Sequence, residues 1–201
     1  MVVVIKYNAG NIHSVVHALR RIGVEPVVTD DKELIRSADK VIFPGVGEAE
    51  TTMNYLKERG LDTRIKSLTQ PVLGICLGMQ LMCKHSEEGD VDCLGIFDLP
   101  VKKFIPLNRE KIPHMGWNQV EDLKSDLMKG VTEGNHAYFV HSFYVPQCNE
   151  AIATTNYIEQ FASALNKNNF YATQFHPEKS GDVGTSTSVG TSSSSSSSSI
   201  S

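Results

Sequence analysis

Short runs of β-branched and aliphatic residues alternate along this chain with stretches in which apolar positions recur every three or four residues. Val2 to Lys6 reads as a buried strand and is followed by a polar loop, Tyr7 to Asn11. Ile12, Val15, Val16, Leu19 and Ile22 then repeat at helical spacing, with Gly23 placed to end the helix. Pro26 to Thr29 and Lys40 to Phe43 predict two more strands. The second of these runs into Pro44-Gly45-Val46-Gly47, a turn that needs glycine backbone. A helix is predicted from about Glu48 to Arg59, a strand over Val72 to Ile75 behind Pro71, and a helix over Leu77 to Lys84.

Past Gly89 the pattern shortens. Leu94 to Phe97, Val101 to Ile105, Ala137 to Val145, Ala151 to Thr155, Phe161 to Leu165 and Phe170 to Phe175 all read as strand segments. The first half thus alternates strand and helix, while the second is richer in antiparallel pairs. The expectation is an α/β fold on a mixed sheet.

Composition removes several function classes. The 201 residues are 40% hydrophobic and 21% charged, with a net charge of −4 and no basic stripe, which argues against nucleic acid as a partner. The apolar start is too short for a signal-peptide core, and Val72 to Cys83 falls short of a bilayer span, so no membrane association is expected. Cys76, Cys83, Cys93 and Cys148 show no CxxC spacing, which suits a reducing cytoplasm. The histidines show no metal-ligand spacing with them, so no metal and no cofactor are expected.

Chemistry concentrates at three strand ends. Gly74-Ile75-Cys76-Leu77-Gly78 fits a nucleophile elbow with sulfur in place of a serine hydroxyl. The glycines relieve crowding in a sharp strand-to-helix turn, and the helix N-terminus stabilises negative charge on the sulfur. Phe170 to Phe175 ends in His176-Pro177-Glu178, where residues two apart share a side and an imidazole can meet a carboxylate. A cysteine nucleophile needs such a histidine to shuttle its proton, and a carboxylate to fix the tautomer. Gly45, Val46 and Gly47 end the third strand, where backbone N–H groups, with that of Leu77, are able to face an oxyanion.

Together these residues resemble the triad type, class I, of glutamine amidotransferase, whose glutaminase domain carries a Gly-x-Cys-x-Gly elbow and a late His-Pro-Glu. The likeness runs from residue 1 to about residue 184 and extends to Tyr7-Asn8-Ala9-Gly10-Asn11-Ile12, Pro113-His114-Met115-Gly116-Trp117-Asn118 and Lys179-Ser180-Gly181. It implies a three-layer α/β fold with a mixed central sheet flanked by helices. It also implies hydrolysis of L-glutamine through a Cys76 thioester, with His176 as acid and base and Glu178 orienting it. Backbone at Val46, Gly47 and Leu77 would hold the oxyanion. Gly45, Gln80, Glu88, Ser142 and Phe143 match the glutamine pocket, although relatives often carry Thr-Tyr in place of Ser142-Phe143. The additional motifs resemble the branch that supplies ammonia to a separate (β/α)8 cyclase subunit in histidine biosynthesis, and Asn11, Trp117, Tyr138 and Lys179 match positions facing that partner. Glutaminases of the anthranilate, guanylate or pyridoxal phosphate pathways, and an inactive binding module on the same fold, are the alternatives.

Residues 185–201 hold 11 Ser and 3 Thr in 17 positions, on composition a flexible tail. The resemblance instead implies a C-terminal helix here, and residues 1–201 are expected to form a single glutamine amidotransferase domain.

Overall fold

Strand β1 (Val2–Ile5) lies between β2 (Val27–Thr29) and β3 (Lys40–Phe43), all parallel. The sheet continues through β4 (Val72–Ile75) to a strand near the end of the chain, Phe170–Thr173, also parallel. The computed structural model describes residues 1–7, 12–45, 47–128 and 133–179. Asn11, Val46 and the serine-rich segment with its expected helix lie outside the described residues.

The remaining strands are β5 (His85–Ser86), β6 (Val91–Asp92), β7 (Pro100–Lys103), β8 (His114–Gln119), β9 (His136–His141), β10 (Phe143–Tyr144), β11 (Ala151–Tyr157), β12 (Glu159–Lys167) and β13 (Phe170–Thr173). The main sheet has the order β11-β12-β13-β4-β3-β1-β2, antiparallel where β11, β12 and β13 meet and parallel beyond, so the expected mixed sheet is present. A four-stranded sheet, β10-β7-β5-β6, and the β8–β9 hairpin pack beside it.

Alternation within the strands feeds two apolar layers. Val3, Ile5, Val41, Phe43 and Val72 face one layer, and Val4, Ile42, Leu73 and Ile75 face the other. Helices α2 (Lys32–Ser37), α3 (Ala49–Glu58), α4 (Leu61–Lys66) and α5 (Leu77–Met82) cover the first with Ile35, Met53, Leu56, Leu61, Ile65 and Met79. Helix α1 (His13–Arg21) covers the second with Val15 and Leu19, joined by Phe104, Phe139 and Phe161. These three layers agree with the fold expected from the sequence.

Four local readings need correction. Helices α2 and α4 are too short for periodicity to reveal. Helix α2 is set by its cap, since the Asp31 carboxylate accepts the N–H groups of Glu33 and Leu34 at 2.9 and 3.0 Å. Leu94 to Phe97 is not a strand: the N–H groups of Leu94, Phe97 and Gly95 bond the carbonyls of Leu81, Met82 and Cys83 at 2.9 to 3.0 Å. That segment closes α5, which ends at Met82 rather than Lys84. Ala137 to Val145 is two strands, because the chain bends at Ser142 and passes from the hairpin to the four-stranded sheet.

Parallel register does most to build the site. Phe43 pairs with Gly74, and Thr173 with Ile75, so β3, β4 and β13 end side by side. The loops leaving them carry Gly45 and Gly47, Cys76, and His176 with Glu178. This is the crevice beyond the carboxyl ends of the strands where open α/β sheets bind ligands.

Candidate active site

Cys76 sits between β4 and α5 with φ of 51° and ψ of −106°, in the sparsely populated region that a tight elbow forces on its nucleophile. Two glycines admit that turn. A Cβ on Gly78 would stand 2.2 Å from the Phe43 carbonyl oxygen, and one on Gly45 would stand 2.1 Å from the Ile75 carbonyl oxygen and 2.7 Å from Cys76 Cβ. The Cys76 N–H donates to the Thr173 carbonyl at 2.7 Å, locking the elbow to β13.

The same strand delivers the histidine. His176 is held by its N–H bond to the Tyr138 carbonyl at 2.9 Å, and Nδ1 lies 2.6 Å from Glu178 Oε1. A side-chain hydrogen bond joins the imidazole to Cys76, and Nε2 is the nitrogen left for the sulfur. His176 and Glu178 side chains are only 8% and 6% exposed. Burial by itself disfavours the imidazolium, but the bonds and charges of Cys76 and Glu178 outweigh it and push the His176 pKa up to about 10. The three side chains stand in line, the arrangement that a nucleophile, its proton carrier and an orienting carboxylate require.

A cavity of about 410 Å³ opens over the sulfur, large enough for an amino acid. Gly45, Gly47, Leu77, Gln80, Glu88, Ser142 and Phe143 all line it, with Cys76 and His176. Leu77 opens α5, so its N–H is among those with no acceptor inside the helix and is available to an oxyanion. The Glu88 carboxylate accepts the Ala49 N–H at 2.6 Å at the start of α3, and its partial burial pushes its pKa up. Among the described residues no group of His, Cys, Asp and Glu side chains is arranged to hold a metal ion.

The cavity also has walls that the motifs do not reveal. Pro113, Val140 and His141 line it. Gln174 is fully buried, donates from Nε2 to the Cys76 sulfur at 3.6 Å and accepts from Gln80 Nε2 at 2.9 Å. A glutamine two residues before His176 is the only trace of this in the sequence, and alternation along an extended chain is the signal that would have found it.

Trp117, Tyr138 and Lys179 come together on the rim. Trp117 and Tyr138 are cross-strand partners in the hairpin, with ring centroids 5.8 Å apart, and Lys179 Nζ lies 6.0 Å from the Tyr138 ring centroid. Trp117 is 57% exposed, and Met115 on the same face is 63% exposed. This apolar row begins beside the cavity, which Lys179 also lines. No helix among the described residues is long and apolar enough to cross a membrane.

Comparison with known proteins agrees with this geometry. The profile of the family described as Glutamine amidotransferase class-I matches residues 3–189. The chain is 67% identical over 184 residues to the imidazole glycerol phosphate synthase subunit HisH of Bacteroides fragilis, covering 91% of this chain and 94% of that protein. It is 49% identical over 185 residues to the protein of the same name from Pectobacterium atrosepticum, with the same coverage. The fold is similar to the crystal structure of a putative GMP synthase component from Thermoplasma acidophilum, with TM-score 0.76, 19% identity, and 98% and 94% of the two chains covered.

Proposed function

This chain belongs to the class-I glutamine amidotransferases, and from that premise we propose that it is the glutaminase subunit of an imidazole glycerol phosphate synthase, acting in histidine biosynthesis. It hydrolyses L-glutamine to glutamate and ammonia and hands the ammonia to a (β/α)8 cyclase subunit with which it forms a heterodimer. The observation that carries the reading is the hydrogen-bonded line Cys76, His176, Glu178, assembled from strand ends 100 residues apart, at the floor of an amino-acid-sized cavity. An inactive binding module has no need of that line.

The Cys76 sulfur attacks the side-chain amide carbon of glutamine. The resulting oxyanion is met by backbone N–H groups at Leu77 and Gly47, with Val46 assigned by resemblance. His176 gives its proton to the departing nitrogen, the C–N bond breaks and a thioester remains. Water then adds to the thioester carbon as His176 takes its proton, and glutamate leaves as the C–S bond breaks. Glu178 keeps Nε2 turned to the sulfur throughout. Glu88, Ser142 and Phe143 hold the amino-acid end, and Asn11, Trp117, Tyr138 and Lys179 face the cyclase. We assign the protein to the cytoplasm, where free thiols such as Cys83, Cys93 and Cys148 persist.

The test is glutamate release from glutamine with and without the cyclase and its nucleotide ligand. Hydrolysis that rises when both are added and vanishes in Cys76→Ser supports the reading. Turnover retained in Cys76→Ser overturns the chemistry, and no binding or response to the cyclase overturns the pathway.

A further inference from the structure

Two buried histidines, His141 in the cavity wall and His114 behind it, take no part in the steps above. His114 on β8 and His141 on β9 are 4% and 6% exposed. Their rings are joined, His114 Nδ1 to His141 Nε2, at 2.9 Å. His141 Nδ1 lies 2.8 Å from the Phe143 carbonyl oxygen, and Asn118 Nδ2 lies 3.3 Å from His114 Nε2. All four ring nitrogens are therefore engaged.

The partners assign the tautomers. A carbonyl only accepts, so His141 carries its proton on Nδ1 and presents the Nε2 lone pair. His114 must then donate from Nδ1, leaving its Nε2 to accept from Asn118. The arrangement requires both rings to be neutral, and burial lowers the pKa of His114 to about 4 and of His141 to about 3. Ring packing removes the remaining freedom: His114 is stacked on Tyr157 and on Phe139, with centroids 4.1 and 4.9 Å away.

The line does not stop at Phe143. Its carbonyl also accepts from Gln80 Nε2 at 2.9 Å, the same nitrogen donates to Gln174 Oε1, and Gln174 Nε2 donates to the Cys76 sulfur. At its other end, His114 and Asn118 flank Met115 and Trp117 on β8. Two apolar residues would fill this space without the cost of burying four ring nitrogens. What they would not do is fix the carbonyl of a residue that forms the cavity wall.

We propose that His114 and His141 are positioning residues for glutamine: they hold the Ser142–Phe143 wall by its carbonyl and tie it to the strand that carries Trp117. The proposal rests on the glutaminase reading above.

His141→Asn and His141→Gln separate the roles of the ring, since asparagine places an amide N–H near the Nδ1 position and glutamine places one near Nε2. His141→Asn is expected to keep KM for glutamine within about threefold of wild type, and His141→Gln to raise it about tenfold, the effect of losing one of the two hydrogen bonds that hold the buried Phe143 carbonyl. In both, kcat measured with the cyclase present is expected to change less than KM. Alkylation of Cys76 by iodoacetamide should proceed at the wild-type rate, while labelling by a glutamine-shaped diazoketone should slow about tenfold in His141→Gln alone. Equal KM and labelling in the two variants overturns the proposal, as does a parallel loss of kcat, KM and thermal stability in both. If only one of the two variants folds, that one decides by its own KM expectation. A wild-type protein that neither hydrolyses glutamine nor reacts with the diazoketone defeats the glutaminase reading itself, a distinguishable result.

Discussion

Gly78 lies so close to Phe43 that any Cβ would stand 2.2 Å from the Phe43 carbonyl oxygen, well inside van der Waals contact. The end of β3 and the first turn of the elbow helix are thereby pressed together, and the Gly45 loop leaving β3 is brought against Cys76. This contact is what requires glycine at position 78.

Gly78→Ala is expected to destabilise the fold by about 1–3 kcal/mol through overpacking against backbone, lowering Tm by about 2–4 °C per kcal/mol. Glutamine hydrolysis should be lost as the elbow shifts. Gly95 has φ of +70° but nothing within 4 Å of the place a methyl group would take. Gly95→Ala should therefore cost only the backbone term, about 1–2 kcal/mol, and keep hydrolysis. Thermal melts with activity assays distinguish the two.

Glu178→Gln is expected to lower the hydrolysis rate by about 10²–10⁴, the range of general acid and base contributions. It also changes the pH dependence of stability. The His176 pKa is raised to about 10 in the folded protein, against an unfolded value of about 6.5. The stabilisation from its partners is thus complete below about pH 6.5 and is lost as pH rises through about 10. The stability gap between wild type and Glu178→Gln, measured by denaturant titration, should shrink across that interval.

Glu88 serves two neighbours, and two substitutions separate them. Glu88→Gln keeps an acceptor for the Ala49 N–H but removes the charge that would face the glutamine ammonium. It should raise KM about 10- to 100-fold, the value of a charge-assisted bond, with little change in Tm. Glu88→Ala should raise KM similarly and also cost about 1 kcal/mol for the lost helix cap. Equal stability of the two variants would refute the capping role.

Trp117→Ala should weaken cyclase binding by at least about 30-fold, corresponding to about 2 kcal/mol for an aromatic anchor. The ring is 57% exposed and packs on Tyr138, so stability should stay within about 0.5 kcal/mol of wild type. Titration calorimetry against the cyclase, with a thermal melt of the free variant, checks both parts.

Reading the residues alone picked out Cys76, His176 and Glu178, which the fold brings together, because each of the two motifs that carry them is local. The elbow is five consecutive residues, and His176 and Glu178 are neighbours on one extended segment, so sterics and alternation act within the reach of a motif. The buried runs Val2 to Lys6 and Val72 to Ile75 were legible for the same reason, each apolar enough to lie between two layers.

What the chain order does not contain is the partnering of distant segments. Leu94 to Phe97 has the residues of a strand, yet its N–H groups go to the open carbonyls ending α5. His114 and His141 look like scattered histidines until β8 and β9 pair and bring their rings together. Gln174 gains its meaning from Gln80, 94 residues away. The sequence by itself determined the elbow at Cys76, the His176–Glu178 spacing and the strands that end at the site, since these depend on backbone sterics and side-chain spacing over a few residues. Only the tertiary structure decided which buried polar groups satisfy one another around that site, because a hydrogen bond removed from water is made with whichever partner the packed layers bring within reach.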